Sequence, residues 1–215
     1  MPRSKRVKVV SLTKTQPKGA EFKSKIIDDV RKGLDTHENI FVFAFENMRT
    51  VVFKDVRARF ADSKICLGKN KLMVAALGKG LEDEYKEDLH LVSEKLTGDC
   101  GLLMTDETKA DVLEYFQGLV VADFAKAGVV PKESIVMKPG PLQFPVDMMD
   151  QLRKLGLVVE VVSGTVVLKT AFQVCKKGVA LSPEQAKVLV HMGKKICVFK
   201  VTVTAAWLDG EFEEI

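Results

Sequence analysis

The sequence predicts an α/β layer fold interrupted by a smaller inserted α/β domain. Three observations carry that expectation. Short unbroken apolar runs alternate with stretches of helical periodicity up to residue 118; the sequence beyond is rich in proline and poor in charge; and a last helix and strand follow it. The 215 residues, 47% hydrophobic and 29% charged, hold enough apolar side chain for a core and suit one large or two small domains. No run reaches the ~18 apolar residues of a membrane span. No apolar signal region follows MPRSKRVKVV, so a soluble, unsecreted protein is expected.

Residues 1–17 interleave Lys and Arg with Ser, Thr and single apolar residues, the composition of a basic extended arm that orders on a partner. From Lys18 to Leu34 the apolar residues Phe22, Ile26, Ile27, Val30 and Leu34 recur at three and four, one stripe of an amphipathic helix whose other face carries Lys23, Lys25 and Arg31. IFVFAF at 40–45 is a buried-strand candidate. A second helix is expected from Asn47, with Val52, Val56 and Phe60 four apart. Strand-like SKICLG at 63–68 leads into helix-forming KLMVAALGKG, a polar helix is expected over Glu84–Leu96, and CGLLMTD is another buried strand. Thr105 or Asp106 is the expected cap of the next helix, which carries Val112, Leu113 and Phe116. Periodicity alone does not separate a parallel from a mixed sheet.

Past Gln117, Pro131, Pro139, Gly140, Pro141 and Pro145 cluster, a short helix runs over Val146–Leu155, and VVEVVSGTVVL reads as a hairpin turning at Ser163-Gly164. Ser182 caps a helix with Pro183 at its first position, and ICVFKVTV is the final strand. The expected division is therefore an arm at 1–17, a first domain at 18–118 plus 183–207, an inserted domain at 119–182, and a short acidic tail at 208–215 that reads as a frayed, solvated end.

Lys and Arg total 33 against 29 Asp and Glu, a net of +4. Arg3, Lys5, Arg6, Lys8, Lys14 and Lys18 occupy the first twenty residues without an acid, so the excess positive charge sits in the leader. Between Leu72 and Gly118 eleven acids face Lys79, Lys86, Lys95 and Lys109. Such asymmetry suits a polyanion approached from one side. Cys66, Cys100, Cys175 and Cys197 lie far apart in apolar stretches without metal-ligand spacing, as expected of buried reduced thiols in cytosol or nucleus.

Enzymatic signals are weak. Gly68-Lys69-Asn70 sits where a phosphate loop would, but Ser63 and Asn70 break the GxxxxGK[ST] pattern. His37, His90 and His191 have no triad-like or metal-like company. SKICLGKNK is more informative. Lys69, Asn70 and Lys71 crowd a helix start, where cations oppose the macrodipole at ~0.3–1 kcal/mol each. Free N–H groups there favour phosphate, and Gly68 allows close backbone approach. The plain alternative is a lysine-bearing turn that solvates well. The acid-free arm, Arg49 at its helix opening, and Arg57 and Arg59 on that helix favour nucleic acid. Most phenylalanines occupy core-like positions, which favours reading backbone shape over stacking on bases.

MPRSKR, LTKT with Lys18-Gly19 and Glu21 after it, VRKGLDT, MRT, SKICLGKNK, ALGKG with EYKEDL, LTGDCGLLMTDE and EYF closely resemble the large ribosomal stalk protein family, in particular its eukaryotic ribosome assembly factors. PGPL, GTVVL, FQVCKKGVALSPEQA and FKVTVTAAW extend the resemblance over nearly the whole chain. It implies an rRNA-binding α/β domain with an inserted domain, at the stalk base of nuclear and nucleolar large-subunit precursors and on late cytoplasmic particles. It implies a non-catalytic placeholder without cofactor or metal, among neighbouring ribosomal proteins and assembly factors, later replaced by the mature stalk protein. A dual-specificity phosphatase is the implied release factor. Family RNA contacts transfer to Arg49, Lys64, Gly68, Lys69 and Lys71; Asn70 is similar to the stalk protein's own Gly-Lys-Asn. With Lys5, Arg6, Lys8, Lys14 and Lys18 of the arm these are the expected RNA-binding residues. Mature stalk proteins continue into partner-recruiting helices and an acidic tail, and TAAWLDGEFEEI is too short to form those helices. An alternative expectation is a protein-interaction module of the pre-ribosome whose RNA contact is incidental.

Overall fold

The computed structural model describes residues 19–215, so the basic arm, with Lys5, Arg6, Lys8, Lys14 and Lys18, lies outside the described residues. The α/β expectation holds. The chain divides into two compact units: unit 1 is Lys54–Leu113, Val203–Ile215 and the described residues up to Ala44, and unit 2 is Phe45–Phe53 with Glu114–Thr202.

Unit 1 is built on a sheet whose strands lie in the order β11-β10-β1-β3-β2, namely Glu211–Glu214, Cys197–Leu208, Asn39–Glu46, Cys100–Thr105 and Lys64–Cys66. β1 and β2 both run antiparallel to β3, with Phe41 opposite Leu103 and Ile65 opposite the same residue. On one face Ile40, Val42, Leu102, Met104, Ala205 and Trp207 pack with helices α1 (Ala20–Thr36), α3 (Asn70–Leu77) and α4 (Leu89–Glu94). The alternating residues Phe41, Phe43 and Leu103 are fully buried too. Burial on both faces explains why these strands read as continuous apolar runs. Each such side chain removed from water contributes ~1.5–3 kcal/mol.

Several boundaries differ from the sequence reading. Helix α2 (Thr50–Arg59) starts at Thr50 because Asn47 turns the chain with φ 53° and donates from its side-chain amide to the Val198 carbonyl. The polar helix expected over Glu84–Leu96 shrinks to α4, since Asp88 is left-handed at φ 63°. Gly78 also holds the preceding loop there: its φ is 111°, and a Cβ would lie 2.3 Å from the Glu84 Cα. Helix α5 (Lys109–Gly118) is capped by Thr108, whose hydroxyl accepts the Asp111 N–H at 3.4 Å. Thr105 is instead buried at the end of β3, accepting from the Ser63 hydroxyl at 2.7 Å. Finally, the acidic end is not frayed: β11 pairs antiparallel with β10 through an Asp209-Gly210 turn of positive φ, and Lys109 and Lys95 bridge Glu213 and Glu214. The Asp-Gly dipeptide is the hairpin signal that the sequence reading passed over.

Asp106 ties the turn after β3 to the α1–β1 junction. Its carboxylate accepts the Glu38 N–H at 3.1 Å and faces His37 Nδ1 at 3.1 Å, and these contacts, the backbone one first, hold it below the usual carboxylate range. A lowered folded-state pKa contributes stability that is complete above the ordinary Asp value of ~3.9 and is lost as pH falls through the lowered one. Asp106→Asn is expected to flatten this acid limb in urea midpoints measured against pH; parallel limbs for both proteins would refute it.

Unit 2 gathers its own core from Leu152, Val159, Val166, Leu168, Val174, Val188 and Leu189. Strand β5 (Ile135–Met137) pairs with β9 (Phe172–Cys175), and β6 (Gly140–Pro141), β8 (Thr165–Leu168) and β7 (Val159–Val162) form a second small sheet in the order β6-β8-β7. The β7–β8 hairpin turns at Ser163 and Gly164, both of positive φ. Helices α6 (Met149–Lys154) and α7 (Pro183–His191) complete it, and Ser182 with Gln185 forms a full capping box on α7. The sequence reading returned the chain to the first domain at residue 183. In the structure Val188 and Leu189 of α7 belong to the unit 2 core, β4 (Val120–Asp123) pairs with Cys197–Lys200 of β10, and the division falls between Thr202 and Val203.

Candidate nucleic-acid interface

Five of the expected site residues share one segment of unit 1. β2 places Lys64 at the sheet edge and delivers Leu67-Gly68-Lys69 straight into α3. Lys64 is the first residue of the strand. Lys69 is the N-cap of α3, with φ −71° and ψ 125°, and no side chain caps this helix. Its carbonyl accepts the Leu72 and Met73 N–H groups at 2.8 and 3.3 Å. The first turn contains no acid, Lys64, Gly68, Lys69 and Lys71 are exposed, and among the described residues none of the three lysines makes an ion pair. Uncapped N–H groups and unneutralised ammonium groups thus lie together at one helix start, a combination that attracts an oxyanion.

Asn70 has a different task. Its side-chain amide donates to the Gly98 carbonyl at 2.9 Å, tying the α3 start to the loop before β3. It orients the turn. Gly68 is not required by the fold: its φ is not positive, and a Cβ would meet only Met73, at 3.9 Å.

A groove of about 410 Å³ runs beside this turn, lined by Phe22, Lys23 and Ile26 of α1 and by Leu67, Gly68, Lys69 and Leu72. Phe22, 40% exposed, is an exception to the expectation that most phenylalanines occupy core-like positions. The apolar stripe of α1 is buried only from Val30 onward, and position in the helix, not periodicity, decides which end meets the sheet. Lys23 joins Lys69 on the same groove, a neighbour that sequence spacing does not reveal.

Arg49 belongs to unit 2. Its Nε lies 2.5 Å from an Asp123 carboxylate oxygen and its guanidinium donates to the Phe124 carbonyl, so it fastens the start of α2 to the end of β4. Arg59, offered above as support for a basic surface, makes a two-pronged ion pair with Glu107 at 2.6 and 2.9 Å. The thiols of Cys66, Cys100 and Cys197 are pushed up by burial, Cys66 is only half-buried, and all four cysteines are free. Among the described residues no group of three His, Cys, Asp or Glu could hold a metal, and no helix is long and apolar enough to cross a membrane.

Residues 18–120 match the family described as ribosomal protein L10, and residues 125–193, which include α7, match the family described as the insertion domain of this protein in the 60S subunit. Over 99% of its length the chain is 38% identical to ribosome assembly factor mrt4 of Dictyostelium discoideum, covering 96% of that protein. It is 35% identical to ribosome assembly factor MRT4 of Saccharomyces cerevisiae over 95% of this chain and 93% of the relative. With large ribosomal subunit protein uL10 of Methanopyrus kandleri the identity is 24% over 93% of this chain and 56% of the relative.

Proposed function

The chain belongs to the ribosomal protein L10 family of large ribosomal stalk proteins, and from that premise we propose that it is a non-catalytic ribosome assembly factor that binds large-subunit rRNA at the stalk base. It works in nuclear and nucleolar pre-ribosomes and on late cytoplasmic particles, as a placeholder that the mature stalk protein later replaces. A dual-specificity phosphatase assists its release. Identity to proteins named assembly factors over nearly their whole length, against 24% to a mature large-subunit protein, supports the assembly role. The observation that carries the RNA contact is the uncapped, acid-free start of α3 with Lys69 and Lys71 exposed on it. Phosphate oxygens supply the negative charge that this helix end lacks.

In this mechanism Lys64, Lys69 and Lys71 neutralise phosphates, Asn70 holds their turn in place, and Gly68 lets the RNA backbone close on the chain. Lys23 and Phe22 line the same groove. Arg49, carried over above as an RNA contact, acts here by bracing α2. Log affinity for a stalk-base rRNA fragment should fall linearly with log salt, by ~0.7–0.9 per phosphate neutralised. A titration without salt dependence would overturn the mechanism, and in-cell crosslinking with mapping of the attached RNA checks target and compartment together.

Gly68→Ala separates fold from function. Since neither φ nor packing demands glycine there, alanine should raise stability by ~0.4–1 kcal/mol through the unfolded chain while weakening RNA binding. Binding equal to the parent, in a titration at low salt, would remove the close-approach role. A docking role for the insert has its own support in the exposed Val158, Val161 and Val162 around edge strand β7. Partners that survive complete RNA digestion in a pull-down would favour that role.

A further inference from the structure

Divided by unit, charge no longer follows the order of the sequence. Unit 2 carries thirteen Lys and Arg against eight Asp and Glu, whereas the described residues of unit 1 carry fourteen against twenty-one. The excess positive charge assigned to the leader is therefore matched by a second excess in unit 2, hidden in the sequence because unit 1 is more acidic than its single basic turn suggests.

Part of that charge is organised around a groove of about 480 Å³ that lies wholly within unit 2, among Arg49, Thr50, Val51, Asp123, Lys126 and Lys195. Arg49 and Asp123 neutralise each other. Two exposed ammonium groups remain. Lys126 donates to the Met48 carbonyl at 3.1 Å, and Lys195 lies 5.8 Å from the centre of the Phe124 ring. Among the described residues neither is held by a carboxylate, the first turn of α2 adds no acid, and Thr50 is exposed beside them. Weak contacts of this kind orient a lysine without satisfying its charge, so an arriving anion displaces little.

We propose that this groove takes a phosphodiester of RNA between Lys126 and Lys195, giving unit 2 a backbone contact of its own in addition to the α3 turn of unit 1. Arg49 is a positioning residue that fixes the groove wall through Asp123 and Phe124. A phosphodiester chain fits better than an acidic peptide because unit 2 carries a net excess of positive charge beyond these two lysines, which a run of phosphates would meet, whereas a single carboxylate would satisfy one lysine. The inference rests on the RNA reading above and adds a second, separable contact.

The test uses the full chain and a stalk-base rRNA fragment. Lys126→Ala combined with Lys195→Ala should lower the salt slope by ~2, about one for each lysine, and weaken binding uniformly across sequence variants of the RNA. Lys126→Arg with Lys195→Arg should restore the slope. An unchanged slope in the alanine variant, with the parent still binding, overturns this inference alone; a parent that shows no salt-dependent binding takes the RNA reading with it. Should the alanine variant fail to fold, photocrosslinking of the parent decides: adducts at Lys126 or Lys195 support the contact and their absence from a crosslinked complex defeats it. Loss of a protein partner from nuclease-treated extract, without change in the slope, would assign the groove to protein and overturn the proposal.

Discussion

Lys69→Ala combined with Lys71→Ala is expected to take ~2 from the salt slope of RNA binding, which between 50 and 200 mM salt is about a tenfold change in how far affinity falls. The same substitutions should leave folding intact or slightly strengthened. Both cations sit against the positive end of α3, where each costs ~0.3–1 kcal/mol, and the first turn holds no acid to offset them. Opposite signs in the two measurements make the case specific: a structural role would lower stability and binding together. Urea unfolding followed by circular dichroism and filter binding against salt, on the same preparation, read both. Unchanged affinity with unchanged unfolding would remove the α3 turn from the RNA contact.

Trp207→Ala should cost ~3–5 kcal/mol, a large share of the ~5–15 kcal/mol that holds a typical domain folded. The indole is only 6% exposed and packs in the core that Leu34, Leu77 and Leu89 also enter. Its Nε1–H donates to the Glu87 carbonyl at 2.9 Å, and Lys86 sits 5.6 Å above the ring. Truncation therefore opens a cavity and strips the Glu87 carbonyl of a donor in one step. Trp207 is the single tryptophan of the chain, so circular dichroism and not intrinsic fluorescence must follow the unfolding. Trp207→Phe keeps most of the packing and should recover a large part of the loss. A cost below about 1 kcal/mol for the alanine variant would show that the C-terminal strand contributes little to the unit 1 core.

How much of this was legible in the sequence depended on how local the cause was. IFVFAF and CGLLMT are apolar on both faces and announce their burial, and the Ser182-Pro183 helix start and the Ser163-Gly164 turn are written in four residues or fewer. The lysine turn was equally local, since strand, glycine and helix start are contiguous. What failed to appear needed partners far along the chain. The Glu84–Leu96 helix pattern loses its first turn to a left-handed Asp88 and to Gly78 packing on Glu84. Arg49 looked free until its partners Asp123 and Phe124, more than seventy residues on, occupied it. Phe22 matched a core stripe, yet it lies ahead of Val30, where full burial of that helix begins. The basic character of unit 2 cannot be summed until its two separated segments are known to fold together.

The antiparallel strand at the C-terminus also bears on how the protein behaves in company. β11 is the outermost strand of its sheet, and such an edge ordinarily invites a neighbouring molecule to continue the hydrogen-bond ladder. Three of its four residues are glutamate, and with Glu213 and Glu214 paired to Lys109 and Lys95 the edge is dressed in charged side chains that a neighbouring strand would have to desolvate. The charged rim thus guards against self-association along that edge.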